Sequence, residues 1–114
     1  MPTRDETFAV ADGHLIRSVT PARGRPYVHR CSHDSFREVL WAGEDLACGG
    51  FTLEEIAAHT NLPSTQVAVA LAFLKERGCV ETRYRRSYPA DRLFYEDGMT
   101  EFWALAEESK NGGQ

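Results

Sequence analysis

Residues 29–33 read His-Arg-Cys-Ser-His, so His29, Cys31 and His33 recur at every second position. On an extended strand three such side chains point to one face, and they could supply imidazole and thiolate donors toward part of a zinc site. A structural zinc site takes four ligands, and no second close pair of donors accompanies this one. His14, Cys48, His59 or Cys79 would have to be brought in by folding. A strand with one buried cysteine and two surface histidines accounts for the same spacing, so no metal and no cofactor is assigned. Cys31 and a neighbouring histidine also offer a dyad, but nothing marks the thiol as activated. No glycine-rich phosphate loop, nucleophile elbow or metalloprotease motif occurs. The acidic pairs Glu54-Glu55 and Glu107-Glu108 fall at expected helix ends, where capping and solvation explain them. The chain is therefore expected not to be an enzyme.

The second chemistry the residues offer is anion binding. Arg83, Arg85, Arg86 and Arg92 surround Tyr84 and Tyr88. Arginine beside aromatics on a β-hairpin suits a phosphate backbone or a narrow minor groove. The plainer account is a solvated hairpin whose arginines pair with an acidic helix. The net charge is −4, but it alternates in blocks. Residues 1–33 carry five Arg against three acids, and residues 34–61 carry one Arg against six acids. Residues 62–92 carry six Lys or Arg against three acids, and residues 93–114 carry one Lys against five. The overall sign argues against an unspecific nucleic-acid binder, while the basic blocks localise any such contact.

The elements that would carry these arginines centre on residues 52–80. Thr52 followed by Glu55 is a capping box, so a helix is expected to begin there, with Leu53, Ile56 and Ala57 on one face. Asn61-Leu62-Pro63-Ser64 breaks it. A second helix starts at Pro63 or Ser64, with Val67, Leu71 and Leu74 at helical spacing. Ala68, Ala70 and Ala72 favour helix, and Lys75 and Arg77 suit the last turn. Gly78 is placed as the residue after the helix, and an extended run follows from Cys79.

This stretch resembles the winged helix-turn-helix superfamily through the spacing of Leu53, Ile56, Ala57, Leu62, Val67, Leu71, Leu74, Gly78 and Val80. The close Leu74-Lys75-Glu76-Arg77-Gly78-Cys79-Val80 looks like the end of a recognition helix in that superfamily. The likeness covers residues 35–97 and names no single family within a superfamily of DNA binders, RNA binders and protein-docking modules. It implies an α+β fold: a small winged helix-turn-helix domain with three helices and a β-wing. To this are added an N-terminal β-hairpin with a basic loop over residues 1–34 and a C-terminal helix with a polar tail over residues 98–114, in one compact unit. The implied function is a DNA-binding regulator, with Ser64, Thr65 and Gln66 approaching the groove. Arg83, Arg85, Arg86 and Arg92 would hold the backbone, and Arg23 and Arg25 would add an arm contact.

The sequence departs from that pattern on the helix expected to read DNA. Base edges are read by hydrogen-bonding side chains. Beyond the first turn, Val69, Ala72 and Phe73 present an apolar strip instead. Three accounts fit: the N-terminal hairpin covers the strip, a second subunit covers it, or a protein partner docks there. The alternative function is therefore a protein-interaction or dimerisation module using Val69, Ala72 and Phe73. Phe102 and Trp103 are placed as a dimer contact if the C-terminal helix is used that way, or as core packing near Trp41 if it is not.

The remaining segments complete the expectation. Asp12-Gly13, between Phe8-Val10 and Leu15-Val19, is a strong hairpin signal. Residues 27–31 read either as a short strand or as an extended lead. Ser35 with Glu38 is a second capping box, which predicts a helix over 35–47 ended by Gly49-Gly50. A wing is expected from strands over 79–86 and 92–96 around a turn at 87–91, with Leu93, Phe94 and Tyr95 in its return strand. A last helix follows from Thr100. No apolar run is long enough to span a membrane and no signal peptide is evident, so the cytoplasm is expected. An odd three cysteines give no disulfide framework.

Overall fold

Asp12 and Gly13 adopt left-handed backbone, with φ of 53° and 74°. They reverse the chain between β1 (Asp5–Ala11) and β2 (His14–Thr20), which pair antiparallel with Phe8 opposite Arg17 and Val10 opposite Leu15. The computed structural model describes residues 5–112, with the side chains of 5–110. The stretch that reads as strand or extended lead is β3 (Tyr27–Ser32), paired antiparallel with β2 so that Leu15 faces Cys31. Alternation sends Phe8, Val10, Leu15, Val19 and Cys31 to one face. Leu15 and Cys31 are fully buried there.

Helix α1 (His33–Asp45) begins earlier than the Ser35/Glu38 pattern suggests. Ser32 is its cap: the Ser32 Oγ accepts from the Ser35 amide at 3.1 Å. Ser35 itself lies buried in the first turn. A short 3-10 turn, Ala47–Gly49, follows. Helix α2 (Leu53–Thr60) starts with the expected capping box, in which Thr52 Oγ1 and the Glu55 carboxylate each accept the other residue's amide at 3.1 Å. Asn61, left-handed at φ 65°, ends it. Helix α3 (Ser64–Glu76) begins right after Pro63. Gly78, at φ 77°, turns the chain out of α3, and the Cys79 amide closes back on Leu74 O at 2.8 Å.

The second sheet corrects the expected wing. Its strands are β4 (Val80–Arg83) and β5 (Arg86–Pro89), joined by a two-residue turn at Tyr84 and Arg85, with φ of 52° and 68°. The turn carries neither Gly nor Asn, the residues that usually mark left-handed positions, so Pro89 misleadingly drew the turn downstream. Phe51 pairs with Ser87 through two 2.8 Å hydrogen bonds, an isolated antiparallel bridge beside β5. Leu93, Phe94 and Tyr95 are not a return strand. Asp91 Oδ1 accepts from the Leu93 amide at 2.6 Å, and helix α4 runs over Phe94–Gly112, so Thr100 lies inside it.

Among the described residues the result is an α+β fold of four α-helices and two small antiparallel sheets. Its radius of gyration is 13.9 Å, close to the roughly 13 Å expected of one domain this long. Helix α3 lies between the first sheet on one side and α1 and α2 on the other, while α4 runs beside β1 and α1. Phe73 is the pivot, with Phe8 of the sheet at 5.4 Å and Phe36 of α1 at 5.9 Å. Helices α1 and α4 approach closely through glycines. A methyl group at Gly43 would collide with the Phe94 ring, and one at Gly98 would come within 2.5 Å of Leu40. Among the described residues no helix is long and apolar enough to cross a membrane.

Candidate nucleic-acid interface

The β4–β5 hairpin separates its arginines into two kinds. Arg86, the first residue of β5 and opposite Arg83 beside the turn, is fully engaged within the chain. Its Nε donates to Gly49 O at 3.1 Å, and its Nη2 donates to Gly50 O at 3.0 Å and to Glu55 Oε1 at 2.6 Å. It ties the hairpin to the start of α2 and is corrected from a backbone-gripping residue to a structural one. The partner anticipated for a plain solvated hairpin, an acid of a preceding helix, is found among the described residues for this hairpin arginine alone.

At the tip, Tyr84 is 97% exposed. Arg83 and Arg85 flank it and are exposed. Arg83 lies over the Tyr88 ring at 4.4 Å, a cation–π contact that holds its stem and leaves its outward N–H groups free for an anion. Arg85 has no ion pair or hydrogen bond among the described residues, and neither has Arg92, also exposed, on the segment leading from β5 to α4. The site residue that sequence reasoning mentioned without assigning is Tyr84. Its signal was the alternation Arg-Tyr-Arg at a point where both strands run out.

Helix α3 contributes less. Ser64 and Thr65 are exposed in its first turn. Gln66 is corrected: its Oε1 accepts from the Ser32 amide at 3.2 Å, closing the end of the β3 edge. One face of α3 then continues through Ala68, Leu71, Ala72 and Lys75, of which only Lys75 carries a donor and is exposed. Arg23 and Arg25 are exposed in the loop between β2 and β3.

The apolar strip on α3 is resolved in favour of the first of its three accounts. Val69 and Phe73 have 0% exposure because the N-terminal sheet packs on them. They are corrected from interface to core. Ala72 is half-buried and lines a cleft with Glu6, Arg17, Lys75 and Glu76. On α4, Phe102 is also core, 1% exposed and 5.2 Å from the Phe36 ring, whereas Trp103 next to it is 54% exposed. Trp41 is 49% exposed and stacks on Tyr95 at 4.1 Å, so α4 does pack near it.

The His-x-Cys-x-His row does not stay on one face, because β3 ends at Ser32 and His33 opens α1. His29 instead lies against Tyr27 at 4.8 Å. Cys31 is sealed in the core, and burial pushes its thiol up to about 12, the opposite of activation. Among the described residues no three His, Cys, Asp or Glu side chains converge as a metal site. The chain matches no protein-family model, no curated protein and no solved structure.

Proposed function

We propose that this chain is a small winged helix-turn-helix protein that binds duplex DNA through the β4–β5 hairpin as its wing. Arg83, Arg85 and Arg92 hold the phosphate backbone, Tyr84 enters the groove between them, and Ser64, Thr65 and Lys75 set the register from α3. Support for the fold comes from the order of α1, α2, α3 and hairpin, with Phe51 bridging to Ser87 beside β5. Support for the function rests on one observation. A bulky tyrosine and an arginine occupy two successive left-handed positions at an exposed tip. Left-handed backbone costs a non-glycine residue roughly 1 kcal/mol, and a tyrosine in water recovers nothing by packing. Contact with a ligand that is anionic and has planar faces accounts for both residues.

The face of α3 left open by the sheet is poor in donors, so the binding is dominated by backbone contacts and discriminates weakly among sequences. Docking of a partner through Val69 and Phe73 has no surface to use. Amide shift mapping with a mixed-sequence duplex tests the reading. Saturable changes are expected over residues 82–86 and at Ser64 and Thr65, and they should weaken in Tyr84→Ala/Arg85→Ala. Changes confined to other surfaces, or none at low salt, would remove the proposal.

A further inference from the structure

β1 and β3 are the two edges of the first sheet, and the fold treats them differently. Ala11 and His14 flank the two-residue turn, so they form a mutually hydrogen-bonded pair. The alternation that follows turns the backbone groups of Leu15, Arg17 and Val19 toward β3, and those of Val28, Arg30 and Ser32 away from the sheet. On β1 it turns the groups of Phe8 and Val10 outward. Two contacts agree with this assignment. The Val10 amide donates to Ser109 Oγ at 2.9 Å, and the Ser32 amide donates to Gln66 Oε1 at 3.2 Å.

Helix α4 runs beside β1 and takes up the Val10 amide. The β3 edge has no such neighbour before Ser32. Among the described residues the outward amides and carbonyls of Val28 and Arg30 have no hydrogen-bond partner, and both side chains are exposed. The open stretch has defined ends. Pro26 has no amide to offer before it, and Gln66 occupies the amide of Ser32 after it. Tyr27 and Val28, adjacent on this stretch, are large apolar side chains left exposed. An unpaired strand edge is complementary to another extended strand.

We propose that the β3 edge pairs antiparallel with the β3 edge of a second copy of this chain, with His29 on the twofold axis. Two three-stranded sheets then join into one. The open edge is self-complementary in this register. The Val28 amide and carbonyl meet the carbonyl and amide of Arg30 of the second copy, the axis repeats the exchange, and no outward group between Pro26 and Ser32 is left over. Neighbouring registers are worse. An axis at Arg30 sets like charges directly opposite each other, and an axis at Val28 sets Arg30 against Pro26, which lacks the amide. The register with His29 on the axis also lays the aliphatic stem of Arg30 against the exposed Val28. Continued past the strand ends, it carries the loop with Arg25 of one copy toward the first turn of α1 of the other, where Asp34 is exposed. Opposite charges face each other there. The paired edge is short, so the association is weak and depends on concentration. This inference does not rest on the DNA reading, because none of its residues belongs to the hairpin or to α3.

The test is the oligomeric state of the full chain by sedimentation velocity from micromolar to millimolar concentration, with amide hydrogen exchange read by NMR at both ends of that range. A shift from one chain to two is expected, together with slowed exchange at Val28 and Arg30. Val28→Lys sets a lysine against Arg30 of the second copy, and the axis applies that repulsion twice. It should weaken association by about tenfold, while the exposed position lets the monomer keep its fold. Val28→Lys/Arg30→Glu sets opposite charges at the same two positions and should restore the dimer. A chain that stays single at millimolar concentration would overturn the proposal and leave the edge to a strand of another protein or to water. A dimer whose protection lies away from Val28 and Arg30, undiminished association of Val28→Lys, or a double variant that does not recover would do so as well.

Discussion

Arg86 and Glu55 close the hairpin onto α2, with Nη2 2.6 Å from Oε1 while the same guanidinium caps the carbonyls of Gly49 and Gly50. Glu55 thus has two tasks, since its carboxylate also completes the capping box with Thr52. Hydrogen bonding to Arg86 first, and to the Thr52 amide second, holds the Glu55 carboxyl below the ordinary glutamate range. A depressed carboxyl contributes stability above its unfolded value and loses it as the pH falls through the folded one. Glu55→Gln is therefore expected to lower the melting temperature at neutral pH. The gap to wild type should shrink as the pH drops below about 4. Melting curves across that window check it, and a gap that grows toward acid would contradict the assignment.

Burial of the α3 strip carries its own expectation. Phe73→Ala should cost about 3–5 kcal/mol in denaturant unfolding, the usual range for a buried phenylalanine. Val69→Asp should yield an unfolded chain, because an unpaired carboxylate would sit between helix and sheet. A folded, monomeric Val69→Asp would mean that the sheet does not cover α3 in solution.

The α1–α4 contact depends on two missing methyl groups. Gly98→Ala should destabilise by about 1–3 kcal/mol through overpacking against Leu40. Gly43→Ala should do the same against Phe94. Gly49→Ala serves as the control, because nothing lies near the added methyl. Urea midpoints of the three variants separate packing from the general effect of replacing glycine.

Thiol chemistry separates the three cysteines. Burial is the main cause that pushes Cys31 up to about 12 and Cys79 up to about 11, while Cys48 is exposed. Native protein treated with iodoacetamide at pH 8 is expected to gain a single adduct, at Cys48, with all three modified after denaturation. Peptide mass mapping reads this directly. Early modification of Cys31 would show that β3 opens.

Local chemistry made some elements legible and left others hidden. Asp12-Gly13, Thr52 with Glu55, and Gly78 each state a backbone requirement within a few residues, and each is found in its expected role; Pro63-Ser64 marks the start of α3, but with Pro63 as the cap residue and Ser64 as the first helical one. The tip at Tyr84-Arg85 was invisible because its residues disfavour the conformation they adopt. The start of α4 was hidden because Leu93, Phe94 and Tyr95 carry the aromatic and branched character of a strand. Long-range packing decides otherwise: Phe94 fills the space that Gly43 leaves, and the Tyr95 amide donates to Glu44 at 3.0 Å. The same limit applied to the site. The spacing of Val69 and Phe73 showed an apolar face, but only the tertiary placement of residues 5–32 identified what covers it. Charge alone likewise could not separate Arg86, taken up by Glu55, from Arg85, which faces solvent.

The most direct test of DNA contact by the hairpin is the salt dependence of duplex binding, read by fluorescence anisotropy from low to physiological ionic strength. On the proposed reading, in which Arg83, Arg85 and Arg92 each hold a phosphate, the slope of log affinity against log salt should be roughly three in magnitude. Arg85→Ala should reduce it by about one, since a single phosphate contact is removed. Arg86→Ala should weaken binding chiefly by loosening the hairpin. Such a pattern would place the tip on the backbone. Absence of salt-sensitive binding to any duplex at low ionic strength, or a slope unchanged in Arg85→Ala, would contradict the account.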